Sequence, residues 1–93
     1  MALKRVLVQV EGVVQGVYFR DYTQQEARRL GLSGWARNRA DGTVEVVLEG
    51  DAAKIDEMIQ WLHSGSPMAQ VSGVHVVEEA LQGVTTPFSI RYN

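Results

Sequence analysis

The sequence predicts an α/β fold in which two helices cover one face of a mainly antiparallel sheet. The first apolar residues alternate with polar ones at a period of two, which is typical of a strand with one buried face. A later stretch repeats its apolar residues at intervals of three and four, as amphipathic helices do. The predicted elements follow one another as βαββαβ plus a short C-terminal strand. This order indicates the split βαβ, or ferredoxin-like, sandwich.

A strand and a helix account for the first third of the chain. Valines alternate with polar residues over residues 5–11, which predicts a strand that ends near Gly12. Residues 19–30 have a helical composition, and Gly31 stands where a left-handed residue ends many helices. Arg20 then lies in the first turn of this helix.

A hairpin follows the first helix. Residues 35–39 and 43–49 are predicted as two strands around Asp41-Gly42, a dipeptide that favours a tight turn. Each strand of the predicted sheet has one apolar face. The face of the sheet away from the helices is therefore expected to look at solvent.

The second half of the chain repeats the pattern of helix and strand. Gly50-Asp51 offers a helix start, and residues 63–70 are predicted as a loop. Residues 71–78 have the composition of a strand, and residues 88–92 alternate in a short final strand. The apolar stripe of the second helix consists of Ile55, Met58, Ile59 and Leu62.

Composition limits the functional classes. The 93 residues are 45% hydrophobic and 22% charged, which is ordinary for one domain, here residues 1–93. The chain has no cysteine, so disulfides, thiolate nucleophiles and sulfur-ligated metals are excluded. A formal net charge of −2 argues against a general nucleic-acid binder. No apolar run is long enough for a signal peptide or a membrane span, and we expect a cytoplasmic, monomeric protein that contacts no membrane.

Residues 12–20, with the sequence Gly-Val-Val-Gln-Gly-Val-Tyr-Phe-Arg, join the first strand to the first helix. Backbone N–H groups in a glycine-bearing loop can converge on a phosphate, and the following helix adds the positive end of its dipole. Arg20 supplies a permanent cation with a forked guanidinium. On this segment alone, an anion-binding loop and a plain turn with a solvated arginine explain the pattern equally well.

Two absences narrow the chemistry of such a loop. No Gly-Lys-Ser/Thr follows it, which disfavours a nucleotide-binding P-loop with its magnesium ligand. No cysteine precedes Arg20, which excludes a phosphocysteine intermediate. A phosphate-binding loop with neither a metal site nor a nucleophile suits a bond that breaks easily. Acyl phosphates have such a bond, because their leaving group is a carboxylate that departs without protonation.

Asn38 lies in the second predicted strand, near its turn. Asparagine is depleted in strands, so a carboxamide at this position calls for an explanation. Its oxygen can accept a hydrogen bond from a water molecule. It can also cap the turn of its own hairpin, and the residues alone favour this second interpretation.

Two segments resemble the signatures of the acylphosphatases. Residues 10–20, Val-Glu-Gly-Val-Val-Gln-Gly-Val-Tyr-Phe-Arg, are similar to the first signature. Residues 34–38, Gly-Trp-Ala-Arg-Asn, continuing to Gly50, are similar to the second. Both fit at full length, in the order and at the spacing of the family. Residues 88–92 also resemble the family's C-terminus, so the resemblance covers essentially the whole chain.

The resemblance implies a ferredoxin-like sandwich that hydrolyses acyl phosphates to a carboxylate and inorganic phosphate, with no cofactor, metal or covalent intermediate. Arg20 matches the phosphate-binding arginine of the family, and Asn38 matches the asparagine that orients the attacking water. Inorganic phosphate is expected to bind as the product and to inhibit. The resemblance also implies a backbone cradle for the phosphate, formed by Gln15, Gly16, Val17, Tyr18 and Phe19.

Three other functions are conceivable for a chain with this order of strands and helices. An RNA-binding module with the same strand order needs aromatic residues on its central strands, and residues 6–10 and 43–48 contain none. A domain detached from a larger carbamoyl-transfer maturation protein is disfavoured by the missing zinc-finger cysteines. A catalytically idle module that only binds anions is the remaining alternative, and the presence of Arg20 and Asn38 argues against it. The acyl group stays open, since acetyl phosphate, carbamoyl phosphate and 1,3-bisphosphoglycerate all fit.

Overall fold

The computed structural model describes residues 2–92, in which five strands and two helices follow the predicted order. None of the helices in this part of the chain is long and apolar enough to cross a membrane. That residues 1–93 form a single domain stays a prediction, and Met1 and Asn93 lie outside the described residues. The elements are β1 (Leu3–Val13), α1 (Phe19–Arg29), β2 (Ser33–Asn38), β3 (Val44–Asp51), α2 (Ala52–Leu62), β4 (Gln70–Glu79) and β5 (Ser89–Arg91).

The strands form one sheet in the order β4-β1-β3-β2-β5. β1 pairs antiparallel with β3 on one edge and with β4 on the other, and β2 pairs antiparallel with β3. The short β5 pairs parallel with β2. The prediction of a mainly antiparallel sheet is therefore confirmed, and β1 and β3 lie at its centre.

Both helices pack on the same face of the sheet around a shared core. The alternation predicted for β1 is confirmed, because Val6, Val8 and Val10 are fully buried. The predicted stripe of α2 is buried as well, apart from Ile59, which is partly covered. α1 ends at Arg29, one residue before the predicted end, and its C-cap Leu30 is followed by Gly31, whose φ is +72°. This packing holds the start of α1 close to the end of β1.

The β2–β3 hairpin turns at the predicted Asp41-Gly42. The N–H of Arg39 donates to the carbonyl of Thr43 at 2.9 Å. The Asp41 carboxylate accepts hydrogen bonds from the N–H and the hydroxyl of Thr43, at 3.0 and 2.6 Å. Asn38 is the last residue of β2 and lies directly before this turn.

The face away from the helices is covered at its centre, which corrects the expectation that it looks at solvent. On β3, Glu45, Val47 and Glu49 alternate with the core residues, yet all three are at most 8% exposed. Arg5 on β1 pairs across the strand with Glu49 and donates to its carboxylate at 2.9 Å, and also to Glu79 on β4 at 3.1 Å. Long charged side chains on neighbouring strands cover one another here. Alternation of polar residues therefore does not produce an exposed strand.

The segment between β4 and β5 completes this cover. The backbone N–H groups of Gln82 and Val84 donate to the Glu49 carboxylate at 3.2 and 2.9 Å. Burial opposes the ionisation of Glu49, but the hydrogen bonds from Arg5, Gln82 and Val84 outweigh it and lower the pKa of this carboxyl. Glu49 thus joins β3 to β1 and to the segment that leads into β5.

The Glu49→Gln variant is expected to lower the free energy of unfolding by about 3 kcal/mol at pH 7, because the buried Arg5 guanidinium loses its closest charged partner. Urea unfolding followed by circular dichroism measures the change. The matched control is Glu57→Gln, since Glu57 pairs with Arg29 at the surface and an exposed pair contributes about 1 kcal/mol or less. A loss no larger than that of the control would contradict the anchoring role of Glu49.

The same variant gives a pH dependence with a defined sign. Because folding lowers the pKa of Glu49, its carboxylate stabilises the folded protein above the pKa of an unfolded glutamate, about 4.3. This contribution is lost as the pH falls through the lower pKa of the folded state. The difference in unfolding free energy between the wild type and Glu49→Gln should be constant above about pH 5 and shrink below it. A difference that grew on acidification would argue against the assignment.

Candidate active site

A pocket of about 330 Å³ opens where the end of β1, the start of α1 and the end of β2 meet. It brings together the two residues that the resemblance singles out for chemistry. Arg20 reaches it from the first turn of α1, and Asn38 reaches it from the last position of β2. The rest of the lining consists of Val14, Gly16, Tyr18, Phe19 and Asp21.

The loop between β1 and α1 has a backbone suited to an anion. Gly16 and Tyr18 have φ values of +74° and +60°, and Val17 between them lies outside the positive region. Such alternation turns successive N–H groups toward one side and produces an anion-binding concavity. Within residues 2–92, no hydrogen bond uses the N–H groups of residues 15–19 as donors. These groups are free to bind an external acceptor, and the positive end of α1 lies beside them.

Gly16 and Tyr18 both adopt a positive φ in this loop, but the energetic cost differs between them. A Cβ at Gly16 would meet no atom within 4 Å, so glycine is favoured there by its positive φ and not by crowding. Tyr18 takes the same left-handed region without being glycine, at a cost of about 1–2 kcal/mol. Its side chain is 69% exposed at the rim of the pocket, whereas Phe19 is buried in the core. Strain of this kind is concentrated at functional sites.

Two side chains anchor the loop to the rest of the protein. The Nε2 of Gln15 donates to the carbonyls of Arg39 and Thr43 at 2.8 and 2.9 Å, which ties the loop to the β2–β3 turn. The buried hydroxyl of Ser66 donates to the carbonyl of Val17 at 2.8 Å. Neither Gln15 nor Val17 lines the pocket. Gln15 holds the loop by its side chain and Val17 by its carbonyl, so only their N–H groups remain for an anion.

The Arg20 guanidinium is oriented by the last residue of β5 and by Tyr92, which follows it. Its Nη1 donates to the carbonyl of Arg91 at 3.2 Å, and its Cζ lies 4.9 Å from the centre of the Tyr92 ring. A guanidinium has five N–H donors in one plane, so these contacts leave most of them for a ligand. Two parallel donors match two oxygens of a phosphate.

Asn38 is half-buried at the pocket. The Asp41 carboxylate, and not Asn38, caps the hairpin turn. No hydrogen bond described within residues 2–92 engages the Asn38 carboxamide, and no buried side-chain polar atom of that range lacks a partner. The carboxamide is therefore accessible from the pocket. The interpretation of Asn38 as a turn cap, which the residues alone favoured, is not supported.

Among residues 2–92, the charged side chains that line the pocket are those of Arg20 and Asp21. Among residues 2–92, no group of three or more histidine, cysteine, aspartate or glutamate side chains is placed to hold a metal ion. The arrangement can bind a phosphate through N–H groups and a guanidinium, with a water molecule beside it on Asn38.

Sequence reasoning missed several residues that shape the pocket. Ser66 is 49 positions from Val17, and no local pattern connects the two. Arg91 and Tyr92 belong to the stretch that resembles the family's C-terminus, but no role was assigned to them. Asp21 follows Arg20 directly, and this adjacency in the first turn of a helix was the signal that could have identified it.

The sequence matches the family profile described as Acylphosphatase over residues 6–90. The chain belongs to the acylphosphatase family. It is 53% identical over 88 residues to an acylphosphatase of Rubrobacter xylanophilus, covering 95% of this chain and 80% of the relative. It is 47% identical over 92 residues to one of Syntrophobacter fumaroxidans, covering 99% and 95%.

The fold of the acylphosphatases is confirmed by a solved structure. The crystal structure of the acylphosphatase from Bacillus subtilis superimposes with a TM-score of 0.91 at 38% identity, covering 98% of this chain and 100% of that chain. The predicted ferredoxin-like sandwich is thus correct. Like its relatives, this acylphosphatase is a hydrolase of acyl phosphates, and the alternative of a catalytically idle anion-binding module is not favoured.

The Ser66→Ala variant tests how firmly the loop of this acylphosphatase must be held. Without the hydroxyl, the Val17 carbonyl loses its donor, and the free energy of unfolding should fall by about 1 kcal/mol. We expect roughly tenfold lower kcat/KM for benzoyl phosphate, because the loop is less precisely placed. Ser64→Ala is the matched control, since the Ser64 hydroxyl donates to the Trp61 carbonyl at the exposed end of α2. Equal activity of the two variants would show that Ser66 does not position the loop.

Proposed function

We propose that the pocket binds the phosphoryl group of an acyl phosphate and directs a water molecule onto its phosphorus. One observation carries this proposal. Arg20, Asn38 and a loop whose N–H groups have no acceptor within residues 2–92 border the same pocket. A cation and a set of backbone donors can stabilise the charge of a phosphoryl group, and a neutral acceptor can position a water molecule for in-line attack on it.

In this proposal the phosphoryl oxygens accept hydrogen bonds from the N–H groups of residues 15–19 and from the fork of Arg20. Charge on the equatorial oxygens is stabilised by donors that are already in place, so little reorganisation is needed in the transition state. The contact of Arg20 with the Arg91 carbonyl supports this role, because it limits the orientations of the guanidinium.

Asn38 holds the attacking water by accepting a hydrogen bond from it. As the water oxygen bonds to phosphorus, the bond between phosphorus and the acyl oxygen breaks, and its electron pair leaves on the carboxylate. The protons of the water pass to the phosphate product and to solvent. Because a carboxylate is a weak base, the step needs no acid, metal or covalent nucleophile. Asn38 is neutral and adds no repulsion beside an anionic substrate.

The proposal also covers inhibition by the product, the oligomeric state and the cellular location of the enzyme. Inorganic phosphate, as the product, occupies the same donors and acts as an inhibitor. We also propose that the enzyme acts as a monomer. The absence of cysteine supports a reducing compartment, and we place the enzyme in the cytoplasm.

The Arg20→Lys variant should remain folded but lose at least about a hundredfold in kcat/KM, because a lysine keeps the charge and loses the fork. The measurement is the initial rate of benzoyl phosphate hydrolysis in excess chelator, which also tests whether turnover needs a metal. Arg29→Lys, the same change at an exposed position of the same helix, is the control and should be close to wild type. Near-normal turnover by Arg20→Lys would rule out the bidentate role.

The Asn38→Ala variant should depress kcat while leaving KM nearly unchanged, because the water is placed only for the chemical step. By analogy with the removal of one preorganised group, the barrier should rise by about 2.7–4 kcal/mol, a loss of roughly a hundredfold or more. Steady-state kinetics with benzoyl phosphate separates the two constants. If KM alone changed, Asn38 would be a binding residue and the water would need another acceptor.

A further inference from the structure

Within residues 2–92, Asp21 is the carboxylate that lines the pocket. It lies in the first turn of α1, directly after Arg20, and its side chain is exposed. The ion pairs found within residues 2–92 do not include it. No salt bridge with the rest of residues 2–92 neutralises the negative charge of Asp21, so this charge acts on a group that occupies the pocket.

The position of this charge relative to the substrate follows from the proposed function, on which the inference rests. The phosphoryl group lies against the loop and Arg20. The acyl group must then extend into the remaining volume of the same pocket, where Asp21 is part of the wall.

We propose that Asp21 determines which acyl groups the enzyme accepts. Its charge disfavours acyl phosphates whose acyl group bears a second anionic group, such as a phosphate or a carboxylate. It favours acyl groups that are uncharged or cationic. Acetyl phosphate and carbamoyl phosphate are accordingly better substrates than 1,3-bisphosphoglycerate. Two unit charges about 4 Å apart in water change an equilibrium constant by roughly fivefold, which sets the size of the effect.

A purely structural role for Asp21 makes a different prediction. An acidic residue in the first turn of a helix stabilises the helix through its dipole, whatever the substrate is. Loss of that role would change the activity by the same factor for every acyl group. Charge selection instead changes the activity by a factor that follows the charge of the acyl group.

The experiment uses three substrates that differ only in the para substituent: benzoyl phosphate, 4-carboxybenzoyl phosphate and 4-(trimethylammonio)benzoyl phosphate. For each, kcat/KM of Asp21→Asn is divided by that of the wild type, which cancels the intrinsic reactivity of the substrate. Relative to benzoyl phosphate, this ratio should rise about fivefold for the carboxylate and fall about fivefold for the cation. Both changes should shrink in 1 M salt, where the screening length is about 3 Å. Asp21→Ser, a second neutral variant, should behave alike.

Asp56→Asn is the matched control, because it removes the same charge at a distant place. Asp56 pairs with Lys4 at 3.5 Å, and Lys4 lies nine positions before Val13, the last residue of β1. At a rise of about 3.3 Å per residue, this places the pair roughly 30 Å from the pocket. The control should leave the three ratios equal.

The outcomes separate this inference from the proposed function. Equal ratios for all three substrates with both Asp21 variants would overturn charge selection, while loss of activity in Arg20→Lys would still support the phosphate-binding loop. Near-normal activity of Arg20→Lys would instead overturn the loop assignment, whatever the Asp21 variants show. Ratios that follow the sign of the acyl group with Asp21→Asn, but not with Asp56→Asn, support the proposal.

Discussion

The pairing of β1 on both of its edges is the constraint on which the active site depends. β3 and β4 hold this strand along nearly its whole length, so the chain enters the loop at a fixed point. The register with β4 shifts between Glu11 and Gly12, which bends the strand just before the loop. A Cβ at Gly12 would lie 2.0 Å from the carbonyl of Gln70, so only glycine fits there. The segment with the free N–H groups begins three residues after Gly12, and Arg20 lies eight residues after it.

Local patterns in the sequence were enough to predict the elements, because each depends on neighbours close in the chain. Val6, Val8 and Val10 indicated the buried face of β1, and Gly31 indicated the end of α1. The burial of Glu49 could not be predicted in this way. Glu49 occupies one of the polar positions that alternate with apolar ones in β3, and this pattern predicts an exposed side chain. Only the contacts with Arg5 and with residues 82–84 explain why Glu49 is buried. Those partners are distant in sequence, so no window of residues reveals them.

The same distinction between local patterns and distant contacts applies to the proposed active site. Arg20 and Asn38 could be named from the sequence because both belong to short signatures of the acylphosphatase family. The contacts that place them could not, since each joins segments far apart in the chain. Gln15 reaches the β2–β3 turn, and Val17 is held by Ser66 from beyond α2. The signatures therefore suggest which residues take part in the proposed reaction, whereas the fold determines which group of each residue is available: the side chain, the carbonyl or the N–H group.

The loop is locally unfavourable for the folded protein, since it combines unpaired N–H groups with a tyrosine in the left-handed region. The packing of the core beneath the loop compensates for this cost. Phe19 follows Tyr18 directly and is buried, with its ring centre 6.1 Å from that of Trp61. Gly65 leaves room for this ring, because a Cβ there would lie 2.3 Å from it. Core packing beneath the loop thus maintains a conformation that the loop would not hold alone. Donors kept in place by the core need no rearrangement when an anion arrives, and this is the condition under which backbone N–H groups stabilise a transition state most effectively.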